Sequence, residues 1–98
     1  MKVKTSKEIE LTAGEAFTLF LNENAEAGDT VARELVFMCD GSVFIDDDND
    51  TPIKVIDAYT LEVGDYASPK WAIIPCEGLG RVAFHPSSDC ILWYKILV

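Results

Sequence analysis

The sequence predicts an all-β domain, a small antiparallel β-sandwich or barrel of about seven to nine short strands. Turn signals rich in Gly, Pro, Asn and Asp recur about every ten residues, which is the spacing typical of these folds. Of the 98 residues, 49% are apolar and 10% are aromatic, so the chain can build a packed core. A chain of this length buries roughly 60 to 65% of its unfolded surface, which indicates a single domain over residues 1–98.

The chain begins with a basic segment and two alternating strands. Residues 1–7 are predicted to form a short basic arm, because three of the eight cations lie there. The alternating "EIEL" predicts the first strand, Glu8 to Leu11, and "AFTLFL" predicts the second, Ala16 to Leu21. The polar "NENAEAGD" that follows predicts a loop.

The third strand is the ambiguous one, because "TVARELVFM" suits either a strand or one face of a helix. The dipeptide Asp40-Gly41 that follows favours the strand. Asp-Gly between β-rich flanks is a strong signal for a two-residue type I′ hairpin. In that hairpin Phe37 would face Phe44, and apolar residues would pair along the ladder.

Five acidic or amide residues interrupt the stretch "VFIDDDNDTPIKV", so a calcium loop competes with a solvated turn. Asp46, Asp48 and Asp50 occupy alternate positions, as the first, third and fifth ligands of an EF-hand loop do. The remaining positions fail, because Thr51 stands where Gly is required and Asp57 where a bidentate Glu is required. A polar turn is the favoured prediction, and calcium bound by Asp46, Asp48 and Asp50 is kept as an alternative.

Two short strands are predicted next. "VIDAYTLEVGDY" indicates a half-buried strand with Tyr59, Leu61 and Val63 on one face. "WAII" then lies between Pro69 and Pro75, and prolines so placed suggest a strand at the edge of a sheet.

The terminal "CILWYKILV" has no clearly polar face, so this strand is predicted to be buried on both sides. One side would face the core, and a second sheet or another copy of the chain would cover the other. Two aromatic residues that bracket the loop "ASPK" could stack on a sugar ring or anchor a protein partner. The predicted interface residues are Trp93, Tyr94, Ile96, Val98, Tyr66 and Trp71.

The charge balance limits the choice of partner. Asp and Glu number 17 against 8 Lys and Arg, for a formal net charge of −9. Nucleic acids and anionic membranes repel such a chain, so neither is expected as a partner. We also expect neither a signal peptide nor a transmembrane segment, because no long apolar run is present.

Catalytic and zinc signatures are weak. The single histidine, His85, lies near Cys90 in sequence, but closeness in sequence is not the usual form of a catalytic site. Cys39, Cys76 and Cys90 lack the short ligand spacing of structural zinc, and we expect them to be small buried hydrophobic residues in a reducing environment. The sequence therefore predicts a protein that is not an enzyme and has no cofactor, with a calcium- or carbohydrate-binding module as the alternative.

The segments "GEAFTLFL", "CDGSVFI", "YTLEVGDY" and "ILWYKILV" resemble those of small acidic all-β accessory proteins of tailed-phage virions, which decorate capsids or build head fibres. The resemblance spans the whole chain through size, charge and strand density, and it carries over no functional residues. It implies a protein that binds by shape to a protein partner such as a capsid surface and forms homo-oligomers. The expected location is then the virion, and otherwise the cytoplasm.

Overall fold

A computed structural model describes residues 2–22 and 31–98, and within these two ranges the chain forms nine β-strands. The all-β prediction is confirmed, while the predicted loop over residues 22–29 lies, apart from Asn22, outside the described residues. The strands are β1 (Val3–Leu11), β2 (Phe17–Phe20), β3 (Glu34–Cys39), β4 (Val43–Asp46), β5 (Val55–Asp57), β6 (Val63–Gly64), β7 (Ala72–Pro75), β8 (Arg81–Pro86) and β9 (Cys90–Leu97).

The strands form two antiparallel sheets that face each other as a sandwich. The larger sheet has six strands in the order β1-β9-β3-β7-β5-β6, and the smaller has three in the order β2-β8-β4. In β3 and β9, buried and more exposed residues alternate, as expected for strands with one face on a core. Phe37 and Phe84 come from opposite sheets and meet edge to face in that core, with ring centroids 5.4 Å apart.

Asp40 and Gly41 do not close the predicted hairpin, and that prediction is wrong. They carry the chain from β3 in the larger sheet to β4 in the smaller one, so Phe44 lies opposite His85 instead of Phe37. A Cβ added to Gly41 would lie 2.6 Å from the Cys90 Cβ. Close packing between neighbouring segments therefore requires this glycine, whereas a type I′ turn would have required it for a positive φ.

The strand predicted through Tyr59, Leu61 and Val63 is a turn followed by β6. The Asp57 carboxylate accepts the backbone N–H groups of Tyr59 at 2.8 Å and Thr60 at 2.9 Å, which is the geometry of an Asx turn. Leu61 then adopts a φ of 64°, outside the extended region. The carboxylate thus competes with the ladder and reverses the chain between β5 and β6.

The edge position predicted for the strand between Pro69 and Pro75 is also wrong, because β7 lies between β3 and β5. Pro75 is the last residue of β7, where its missing N–H interrupts little of the ladder. The Cys76 N–H donates to the Arg33 carbonyl at 3.0 Å and continues the pairing beyond the proline.

The larger sheet has β1 and β6 at its edges. β1 begins at Val3, so most of the basic arm predicted for residues 1–7 is the first part of this edge strand. In the described ranges, no helix has the length and apolar character needed to cross a membrane.

Candidate interaction surfaces

The outer side of the six-stranded sheet is largely apolar, and we call it the tryptophan face. Phe37 points into the core, so its neighbours on β3 point outward. One row of the ladder crosses four neighbouring strands with apolar residues only: Val36, Ile73, Ile56 and Val63. The complete tryptophan face consists of Val36, Met38, Ile56, Val63, Trp71, Ile73 and Trp93.

Two residues of the tryptophan face are markedly exposed. Val63 is 70% exposed and Trp71 is 42% exposed. Trp71 and Trp93 line one shallow depression, and the Trp93 Nε1–H donates to Glu8 Oε1 at 2.6 Å. This hydrogen bond orients the Trp93 ring, so the depression offers two indole groups beside a carboxylate.

The structure separates the predicted interface residues into two groups. Trp71 and Trp93 lie on the outer side of the sheet, where a partner could reach them. Tyr94 and Ile96 are only 4% and 3% exposed and belong to the core of the chain itself, so little of either side chain is accessible to a partner. β9 is therefore buried on its inner side and half-exposed on its outer side, with the exposed Lys95 interrupting the apolar residues there.

Tyr66 and Val98 both make contacts within the chain. The Tyr66 hydroxyl accepts the Cys39 N–H at 2.9 Å and donates to the Lys70 carbonyl at 2.7 Å. Its ring packs on Phe37 with centroids 4.9 Å apart, and burial raises the pKa of its hydroxyl. Val98 exchanges two backbone hydrogen bonds with Lys2, which continues the pairing of β1 with β9.

The outer side of the three-stranded sheet combines two aromatic side chains with a polar network, and we call it the phenylalanine face. Phe20 and Phe44 are 52% and 54% exposed. The Arg81 guanidinium lies 5.8 Å from the centre of the Phe20 ring, and the Phe44 and His85 rings are 5.9 Å apart. The phenylalanine face was not predicted, although the alternation in "AFTLFL" places Phe20 on the side opposite Leu19.

Asp46 is the buried acid of this face, with 5% of its surface exposed. His85 Nε2 donates to its Oδ1 atom at 3.0 Å, and the Asp48 N–H donates to the same atom at 3.0 Å. Burial raises the pKa of Asp46, but the hydrogen bond from His85, the bond from the Asp48 amide and the charge of His85 together outweigh it. The pKa of this carboxyl is therefore below its ordinary value.

The loop after Asp46 uses its carboxylates to hold its own backbone. Asp47 Oδ1 accepts the N–H groups of Asn49 at 2.9 Å and Thr51 at 3.0 Å, and Asp48 pairs with Arg81 at 3.3 Å. Within residues 2–22 and 31–98, no three His, Cys, Asp or Glu side chains are grouped to hold a metal ion. The observed bonds are those of a polar turn, and calcium binding by Asp46, Asp48 and Asp50 stays a prediction.

The three cysteines are free and buried, as expected. The Cys39 and Cys90 sulfur atoms lie 3.4 Å apart, and burial raises the pKa of Cys90 to about 12 and that of Cys76 to about 11. High pKa values keep these thiols protonated and unreactive near neutral pH. His85, the histidine that the sequence places near Cys90, is hydrogen-bonded to Asp46.

These strands define a class of protein, an antiparallel sandwich of a six-stranded and a three-stranded sheet. A solved structure shares this fold over 100% of the present chain and 99% of its own, with a TM-score of 0.55 and 14% sequence identity. That structure is the crystal structure of the SPBc2 prophage-derived protein YomS. The likeness is one of fold. No protein-family model matches the sequence, and a search of curated proteins found no match.

Proposed function

We propose that the chain is a non-enzymatic structural protein of a phage particle, an accessory protein that decorates or cements the capsid. It binds a protein surface by shape and associates with copies of itself, without a cofactor, nucleic acid or membrane. The fold shared with a prophage-derived protein supports the phage setting. The capsid role rests on the surfaces of this chain.

The observation that carries the proposal is that both outer sides of the sandwich expose large apolar side chains. An antiparallel sheet whose outer side faces water normally alternates apolar residues inward with polar residues outward. Trp71 and Val63 break this rule on the tryptophan face, and Phe20 and Phe44 break it on the phenylalanine face. Contiguous exposed apolar surface marks a site of protein interaction, and two such sides suit a subunit placed between neighbours.

The contacts of the nucleophile candidates support a role without catalysis. A cysteine nucleophile needs a histidine base within hydrogen-bonding reach. Here the Cys90 thiol meets Cys39, and His85 binds Asp46. Both groups are thus used in structural contacts.

Carbohydrate binding is the second candidate, because Trp71 and Trp93 share one shallow depression with Glu8. Indole rings stack on sugars, and a carboxylate accepts hydrogen bonds from their hydroxyl groups. A glycan array followed by titration of tryptophan fluorescence tests this candidate. Quenching that Trp71→Ala abolishes would favour the sugar module over the capsid role.

The capsid role is tested by counting copies of the chain in purified particles of the phage that encodes it. Mass spectrometry with isotope-labelled peptides gives the ratio of this chain to the major capsid protein. We expect a fixed ratio near a simple fraction, because decoration follows the symmetry of the capsid. Particles that lack the chain, or hold it at a variable trace level, would refute the proposal.

A further inference from the structure

The inner side of the six-stranded sheet brings two cysteines from neighbouring strands into contact. Cys39 is the last residue of β3 and Cys90 is the first residue of β9, and these two strands pair antiparallel. Cys39 lies opposite Leu92, so Cys90 is its diagonal neighbour two positions along β9 on the same side of the sheet. The two sulfur atoms lie 3.4 Å apart, although 51 positions separate the two residues in the sequence. The fold therefore creates a pair of thiols that the sequence spacing does not indicate.

The backbone beside both cysteines is held by hydrogen bonds. The Asp40 N–H donates to the Ile91 carbonyl at 3.1 Å, and the Ile91 N–H donates to Asp40 Oδ1 at 2.7 Å. The Tyr66 hydroxyl accepts the Cys39 N–H at 2.9 Å. The contact between the two sulfur atoms thus follows from the pairing of β3 with β9 and is fixed by the bonds around it.

Two thiols at this separation are close to bonding distance. The S–S bond of a disulfide is about 2.05 Å long, so the two sulfur atoms need a further approach of about 1.4 Å. Modest rotations about the Cα–Cβ bonds of both residues cover this distance without displacing the strands. We propose that Cys39 and Cys90 are a redox modification site, at which hydrogen peroxide forms a disulfide that locks β3 to β9.

The reaction consumes one molecule of hydrogen peroxide. The Cys90 thiol loses its proton, and the thiolate attacks one peroxide oxygen, which gives a sulfenic acid and a hydroxide ion that takes up the proton as water. The Cys39 sulfur then attacks the Cys90 sulfur, so that the S–S bond forms and the S–O bond breaks. The Cys39 proton leaves with the hydroxyl group as a second water molecule. The two thiols together lose two electrons and two protons, and the peroxide is reduced to two water molecules.

The surroundings of the two thiols decide which of them reacts first and how fast. Cys90 is 8% exposed and follows the exposed residues 87–89, whereas Cys39 is completely buried. Burial, and after it the hydrogen bond to Cys39, raise the pKa of Cys90 to about 12, so little of this thiol is ionised near neutral pH. Oxidation therefore begins at Cys90 and is slow, and the pair stays reduced where peroxide is scarce.

Cys76 provides an internal comparison. It is also buried, and burial raises its pKa to about 11, but its thiol donates to the Ile74 carbonyl at 3.4 Å. The Cys76 N–H bonds to the Arg33 carbonyl just before β3, so this cysteine lies at the opposite end of β3 from Cys39. Oxidation that depended on burial and pKa alone would affect Cys76 as well, whereas oxidation that depends on the contact of two sulfur atoms would leave it reduced.

The test uses the full chain with its three native cysteines. The reduced protein is incubated with a small excess of hydrogen peroxide at about pH 9, because alkaline pH raises the fraction of thiolate. The remaining thiols are then alkylated, and trypsin places each cysteine on its own peptide, since cleavage after Arg and Lys gives residues 34–54, 71–81 and 82–95. Mass spectrometry should show a loss of about 2 Da before alkylation and a link between peptides 34–54 and 82–95. Only Cys76 should be alkylated.

Three variants separate the pair from the third cysteine. Cys39→Ala and Cys90→Ala should each abolish the mass loss, and Cys76→Ala should retain it. Cys90 lies at the exposed end of the pair, so Cys90→Ala serves as the test if Cys39→Ala does not fold. In the wild type and in Cys76→Ala, oxidation should raise the melting temperature by about 5 to 15 °C, because a bridge across 51 positions restricts the unfolded chain. Dithiothreitol should reverse this rise.

Oxidation in urea is the control for geometry, because the unfolded chain should give mixed pairings that include Cys76. A native chain that keeps three thiols overturns the inference, and so does a link that includes Cys76 or joins two chains. Conversion of Cys90 to a sulfinic acid without a link also overturns it, and a bridge that lowers the melting temperature refutes the lock. None of these outcomes depends on the capsid role.

Discussion

Asp46 is a carboxylate removed from water at the end of β4, and its partners determine its protonation. Bonds from His85 and the Asp48 amide hold its pKa below the ordinary value of 3.8. A carboxylate whose pKa is lower in the folded state stabilises the fold above its unfolded pKa. That contribution is lost as the pH falls through the folded value, so acid should weaken this face of the sandwich below about pH 4.

We expect Asp46→Asn to lower the free energy of unfolding at pH 7 by about 1 to 2 kcal/mol, because it weakens the bond from His85 in a buried position. The variant should also lose less stability than the wild type on acidification. Asp57 should retain part of the acid dependence, since its pKa is lowered to about 2 by bonds from the Thr60 and Tyr59 amides and from Lys70. Urea denaturation at several pH values measures both effects.

Asp50→Asn, an exposed change in the same loop, is the control. Equal losses of unfolding free energy in the two variants would contradict the role of Asp46.

Gly41 is required by the close approach of Cys90. A Cβ at this position would lie 2.6 Å from the Cys90 Cβ, so Gly41→Ala must displace one of the two segments. We expect a loss of about 1 to 3 kcal/mol in the free energy of unfolding, as is typical of overpacking. Gly64→Ala is the matched control, because no atom lies within 4 Å of its added Cβ. Thermal denaturation of both variants checks this, and equal melting temperatures would show that the segments yield without cost.

At the scale of elements, the acidic loop after β4 is a self-contained turn. The Asp47 N–H and the Thr51 carbonyl bond at 3.0 Å, and the Ile53 N–H reaches the Ile45 carbonyl at 3.1 Å. These bonds close the loop across its base, while Asp46 and Asp47 accept N–H groups from within it. The carboxylates therefore stabilise local backbone structure.

We expect millimolar calcium to leave the melting temperature within about 1 °C of its value in a chelator. An ion that bound the folded state selectively would raise the melting temperature, and the loop carboxylates are already used in bonds within the chain. A bound ion would compete with the Asp48 N–H for Asp46 Oδ1 and with Arg81 for Asp48 Oδ2. Differential scanning calorimetry with calcium and with a chelator makes the comparison. A rise that Asp48→Asn abolishes would restore the calcium hypothesis for Asp46, Asp48 and Asp50.

Strand alternation was predictable at this scale, and strand partners were not. Buried and more exposed residues alternate along β3 and β9, as expected because side chains alternate across a strand. The dipeptide Asp40-Gly41 is compatible with a hairpin and with a crossing between sheets, and local sequence does not separate the two. Asp57 explains the missed turn before β6, because its carboxylate bonds two amides that a strand would have used.

At the scale of the whole molecule, the sandwich has one buried core and two outer sides that carry apolar groups. The core joins both sheets through Phe37 and Phe84. The outer residues Trp71 and Val63 lie outside this core, and 42% of Trp71 and 70% of Val63 remain exposed to water. Mutation of these two residues can therefore test binding to the proposed partner with a limited effect on the free energy of unfolding.

We expect Trp71→Ser/Val63→Ser to lower the free energy of unfolding by no more than about 2 kcal/mol, because both side chains are only partly buried. The same variant should lower the number of copies per purified particle several-fold, because it removes apolar contact area from the tryptophan face. Glu77→Ser is the control for the copy number. A variant that folds and decorates particles as the wild type does would exclude the tryptophan face as the capsid contact.

The predicted site residues divide into those on the outer side of the sheet and those in the core. Trp93 and Tyr94 are adjacent in the sequence and equally aromatic, yet one lies on the outer side of the sheet and the other in the core. The alternation predicts that they point to opposite sides. Only the position of the smaller sheet decides which side is covered. Phe20 and Phe44 were missed as surface residues for the same reason, because an apolar side chain by itself does not tell which face meets water.

The amino-acid sequence by itself determined the all-β class and the net negative charge, because composition, turn residues and a period of two are local properties of the chain. It also determined that the run from Asp46 to Asp50 would form a polar turn. Only the tertiary structure decided that β3 and β4 belong to different sheets, that β7 lies inside its sheet and that β1 stands at one end of the six-stranded order. Strand order depends on contacts between distant segments, and those contacts are selected by how the two sheets pack together.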